Sequence, residues 1–200
     1  MTPFAYLDRP HSRRHGPKGY ARYDRYRPWL RDEFSFRCVY CLTRERWGKG
    51  PYGFAVDHLI PQATDPSRAL DYDNLVYACS TCNVLKKDVE DTPDPCQVAF
   101  SDLVKVTPDG NIEALEDTGR FLIDVLRLDN DENTEYRRLV LEIIRLAASC
   151  DRDLYVRLMG FPDDLPDLSS KRPPGGNSQP GGIRNSFLAR RQKGDLDETY

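Results

Sequence analysis

The amino-acid sequence predicts an α+β protein: a small β-unit with one helix, closed by a metal, followed by an appended β-hairpin and helices. Three observations carry this. Two Cys-x-x-Cys pairs, Cys38/Cys41 and Cys79/Cys82, flank two short strand-like runs. A helical segment follows the second pair directly. Beyond residue 90 a hairpin signal precedes three segments of helical periodicity.

The chain has 200 residues, enough for one ordinary domain or slightly more. Residues 1–34 read as a basic and aromatic arm in which Arg13, Arg14, Lys18, Arg22, Arg25, Arg27 and Arg31 alternate with Tyr20, Tyr23, Tyr26 and Trp29. Four prolines there preclude a long helix. Two readings of the arm stand side by side: a solvated extension, or a strip that grips phosphates with rings that stack on bases. Residues 35–90 form the dense module. Phe36–Cys41 reads as a strand and knuckle, Phe54–His58 and Leu75–Ala78 as short strands, and Thr81 to about Val89 as a helix capped by Ser80 or Thr81.

Residues 91–162 read as an α+β extension. Thr107-Pro-Asp-Gly-Asn111 turns a hairpin, with Gly110 supplying a positive φ. Helical spacing follows over 118–128, 134–149 and 152–159. The apolar positions singled out are Phe121, Leu122, Val125 and Leu126, then Tyr136, Leu139, Val140, Ile143, Ile144 and Ala147. Residues 163–200, with two Pro-Gly-Gly runs, read as a flexible basic tail.

Charge is unevenly placed. Residues 1–50 carry twelve Lys and Arg against five Asp and Glu, residues 51–170 eleven against twenty-four, and residues 171–200 six against three. A basic arm and tail around an acidic middle point to a polyanionic partner. No run approaches the ~18 apolar residues of a membrane helix. The first residues lack a signal-peptide pattern, so the expected compartment is the cytoplasm, where clustered cysteines read as metal ligands before disulfides. Four thiolates at this spacing suit one tetrahedral zinc ion. Such a closed site has no open position, so any chemistry lies elsewhere. Cys96 and Cys150 are assigned to packing.

Between the pairs stand Val56-Asp-His-Leu-Ile-Pro61 and Asp73-Asn-Leu75, and after the second pair Asn83 and Lys86. In this order the residues resemble the HNH endonucleases, whose module is the ββα-metal fold. The three letters fall on His58, Asn74 and Asn83, with Asn where many members carry His. The resemblance implies a metal-dependent endonuclease that cleaves DNA, most simply double-stranded, to 5′-phosphate and 3′-hydroxyl ends. It implies His58 as general base and Asp57 with Asn83 as ligands of a catalytic divalent ion, Mg²⁺ or a similar cation. Asn74 would brace the loop, and Lys86, Lys87, Arg22, Arg25 and Arg27 would meet phosphates. His58 is also the one histidine on a strand, since His11 and His15 sit in the Pro-rich arm. Two alternatives share these features: a zinc-stabilised nucleic-acid-binding module without activity, and an HNH nuclease acting on RNA. The 91–162 extension shows no catalytic cluster.

Overall fold

The computed structural model describes residues 3–200. The α+β class is as expected. The module is built on a two-stranded antiparallel hairpin, β1 (Phe54–His58) and β2 (Leu75–Cys79), whose register pairs Phe54 with Cys79 and His58 with Leu75. Both faces of β1 are covered, and Phe54 stacks on the cross-strand Tyr77 ring at 4.9 Å. Helix α2 (Ser80–Lys86) leaves β2 without a loop. Its cap is Cys79, whose Sγ accepts from the Cys82 amide at 3.4 Å, rather than Ser80 or Thr81. The helix is also shorter than its periodicity, because Lys87 turns out with φ of 47°. Together β1, β2 and α2 form the ββα unit.

Phe36–Cys41 is no strand. It forms a knuckle, with Phe36 at φ 57° and a single antiparallel bridge between Arg37 and Arg44. Folding back over the two-residue gap to bring two sulfurs together prevents extended pairing.

The extension follows its pattern closely. Helix α3 (Phe100–Leu103) leads into the hairpin β3 (Val104–Val106) and β4 (Ile112–Ala114), turned through Gly110 at φ 88°. Then come α4 (Asp117–Leu126), α5 (Asp131–Cys150) and α6 (Arg152–Met159). The buried face of α5 is Arg137, Leu141, Ile144 and Ala147, while the predicted positions Leu139 and Ile143 are 49% and 45% exposed. An apolar stripe wider than the available contact leaves one edge outside. Cys150 is exposed rather than packed.

The two ends of the chain differ most from expectation. The arm is folded onto the body: Tyr26, Trp29 and Leu30 of the segment around α1 (Arg27–Glu33) are fully buried. His15, with no exposure, meets the Asp32 carboxylate at 2.8 Å, and the Arg14 and His15 amides donate to Glu33 at 2.8 and 3.0 Å. Residues 163–200, expected as a flexible tail, form α7 (Pro180–Arg184) and α8 (Phe187–Lys193) and bury Leu165, Leu168 and Phe187. Phe187 packs with Phe36 and Phe161, and its amide donates to Asp32 at 2.9 Å. The physical reason is the unmet polar end of α1: Asp32 and Glu33 are buried there and draw donors from both termini. Gly182 passes so close to Arg14 that a Cβ would overlap its carbonyl oxygen.

Candidate functional site

The hairpin carries a polar cluster at each end. At the Phe54/Cys79 end, the sulfurs of Cys38, Cys41, Cys79 and Cys82 all lie within 4.8 Å of one another, with Cys41 and Cys79 at 3.7 Å. A tetrahedral site with Zn–S bonds of ~2.3 Å has sulfur–sulfur edges of about 3.8 Å. The donor set is thus compatible with zinc. Burial pushes the Cys38 thiol up, and contact with the other sulfurs pushes Cys82 up. Hydrogen bonds from the same neighbours hold Cys41 well below the ordinary thiol range. Four such groups cannot all ionise side by side without a cation to compensate them.

At the other end stand Asp57 and His58, the last residues of β1, 4% and 8% exposed. The His58 Nε2 lies 3.0 Å from the Ala69 carbonyl oxygen, which can only accept, so Nε2 carries the proton. The lone pair is therefore on Nδ1, and the Gln62 amide nitrogen reaches it at 3.3 Å. The Tyr23 ring stands edge-on to the imidazole at 5.0 Å. Burial pushes His58 below its ordinary value, against the opposing pull of Ala69 and Asp57. Asp57 accepts from the Tyr40 hydroxyl at 2.7 Å. Its other oxygen faces the Lys86 ammonium at 3.8 Å, and Lys86 also donates to the His58 carbonyl at 2.6 Å. Burial raises Asp57 and lowers Lys86, and each partly offsets the shift of the other.

Asn74, 1% exposed, accepts from the Ile60 amide at 2.8 Å and donates to the carbonyls of Ile60 (3.0 Å) and Arg68 (3.2 Å). It ties the exit of β1 to the loop that supplies the Ala69 carbonyl. Asn83 sits on α2, half-buried, one turn before Lys86, and among the described residues its carboxamide makes no hydrogen bond.

The predicted phosphate contacts fare unevenly. Lys86, expected at the surface, is fully buried, because the Asp57 carboxylate and the His58 carbonyl draw its ammonium inward. Arg27 is spent on the carbonyls of Pro51 and Phe54 at 3.1 and 2.7 Å. Arg22 pairs with Asp24 at 3.0 Å. Arg25 and Lys87 are exposed. The sequence reading missed Tyr40, Gln62 and the Ala69 carbonyl. Of these, only Tyr40 had a positional signal, since it lies inside the first cysteine pair.

A search among curated proteins finds no match to the chain. The family comparison does match, over residues 38–88, and the matched span takes in both cysteine pairs, Asp57, His58, Asn74, Asn83 and Lys86. Spacing, ββα topology and the clustered sulfurs therefore converge with that match: the chain carries an HNH endonuclease domain at residues 38–88.

Proposed function

We propose that the protein is a metal-dependent endonuclease that hydrolyses phosphodiester bonds of double-stranded DNA, with His58 as general base. The observation that carries this reading is the orientation of His58. Its Nε2–H is committed to Ala69, which leaves Nδ1 as the proton acceptor. Nδ1 takes a proton from water, the water oxygen bonds to phosphorus, the bond from phosphorus to the 3′ oxygen breaks, and that oxygen takes a proton from solvent water to leave as the 3′-hydroxyl. Asn74 keeps the loop and the imidazole in register through its three hydrogen bonds. Lys87 and Arg25, both exposed, supply charge for the phosphate backbone.

The four cysteines would hold zinc as a structural ion. Asp57 and Asn83 would hold the catalytic cation: both offer hard oxygen donors, and the Asn83 carboxamide makes no hydrogen bond among the described residues. A divalent cation such as Mg²⁺ there would stabilise charge on the phosphorane and on the leaving oxygen.

One observation favours a second reading, nucleic-acid binding without cleavage: the Lys86 ammonium already neutralises Asp57. Plasmid cleavage separates the two. The wild type should cut with Mg²⁺ and stop with EDTA, and His58→Ala should lose ~10²–10⁴-fold in rate while still binding DNA. Cleavage by His58→Ala at the wild-type rate would overturn the assignment. An RNA substrate run in parallel tests the choice of nucleic acid.

A further inference from the structure

A cavity of about 110 Å³ lies on the far side of the knuckle, between the arm, the end of α1 and the start of the extension. None of Asp57, His58, Asn74, Asn83 or the four cysteines lines it. Its walls are largely apolar, formed by Tyr6, Phe34, Leu42 and Phe100. Two charged residues line it from within the fold, and their situations are opposite.

Glu33 is saturated. Its carboxylate accepts from His11 at 2.9 Å, from the Arg14 and His15 amides and from the Tyr72 hydroxyl at 3.1 Å. Arg37 is half-buried and has no side-chain hydrogen bond or ion pair among the described residues. The groups that act on it are the phenols of Tyr200 and Tyr6 and the like-charged guanidinium of Arg44, and no carboxylate is among them. Burial accordingly holds its guanidinium below the ordinary arginine range. A guanidinium drawn partly out of water with no carboxylate beside it gains from an anion that reaches it. An apolar cavity with one convergent charged group is the common form of a small-ligand site.

We propose that this cavity binds a small monoanion with an apolar body, a carboxylate of about the size of benzoate, with Arg37 as its counter-ion. One planar guanidinium matches one carboxylate through two parallel hydrogen bonds. The apolar walls accommodate the ring. A phosphate dianion fits poorly, since its remaining oxygens would face walls that offer few donors. Arg9 at the exposed mouth adds positive charge on the approach path.

Titration of the intact, metal-loaded protein with benzoate, followed by calorimetry and ligand-observed NMR, tests this. Saturable one-to-one binding is expected. Benzamide, the neutral isostere, should bind about tenfold or more weakly, and Arg37→Met should weaken benzoate by a similar factor. Leu7→Trp should close the mouth and abolish binding; Leu7 is 42% exposed, so this variant keeps the fold if Arg37→Met does not. Equal binding of benzamide, displacement of benzoate by inorganic phosphate, or no saturable binding to the folded wild type would each overturn the proposal. Cleavage activity plays no part in the readout.

Discussion

The two ends of the β1–β2 hairpin, roughly 13 Å apart for a strand of five residues, handle buried charge in opposite ways. At the Cys79 end four acidic groups are brought together, and the Arg137 guanidinium, which acts on Cys41, is one charge against four. At the His58 end a single carboxylate is buried, and the chain supplies its own cation, Lys86, from α2. The difference teaches what each end depends on. On the proposed reading the sulfur cluster takes its cation from solution. The carboxylate end folds with a cation of its own chain, and its electrostatics are set by residues distant in sequence: Tyr40, Ala69 and Lys86.

The largest effect should come from stripping the sulfur end. Chelation, or Cys79→Ser, should unfold the module, since the free energy of a structural zinc site is folding free energy, on the order of 10 kcal/mol. Near-ultraviolet circular dichroism with elemental analysis reads this out. A metal-free protein that keeps its native spectrum would break the comparison.

Next comes the ion pair. Lys86→Met leaves Asp57 buried without its cation and should cost about 3 kcal/mol in urea unfolding. The double variant Lys86→Met with Asp57→Asn should be more stable than Lys86→Met alone, because both charges are then gone. Simple additivity of the two single losses would show that the pair is not coupled.

The smallest effect concerns pH. Burial holds His58 below its ordinary 6.5. A base with a depressed folded value contributes stability that is complete above 6.5 and is lost as pH falls through the folded value. The acid limb of the cleavage profile should therefore lie below pH 6.5. Tyr23→Ala, which uncovers the ring, should move that limb back up. An acid limb above 6.5 in the wild type would show that the buried imidazole does not govern the rate.

Much of the module was legible because its signals are local. A two-residue gap dictates that two sulfurs share a site. Short apolar runs and turn residues placed β1 and β2 within a residue and the hairpin at Gly110 within two, its first strand being read over the end of α3. Asp57 and His58 stood out as neighbours at the end of a strand. The arm and the tail were misread for the converse reason: their local composition, rich in Pro, Gly and Arg, is that of a mobile chain. It carries no mark of the buried acids at the end of α1 that hold both segments down.

By itself, then, the sequence determined the ββα unit, the sulfur cluster and the pair Asp57–His58, because chain geometry over a few residues suffices for each. Only the tertiary structure decided that Lys86 turns inward, that Nδ1 is the accepting nitrogen of His58, and that Arg37 lines a cavity with no side-chain hydrogen bond among the described residues. Those outcomes depend on which donors and acceptors are left over once distant segments meet. Burial makes every unmet polar group costly, so the pairing is settled across the whole fold and not along the chain.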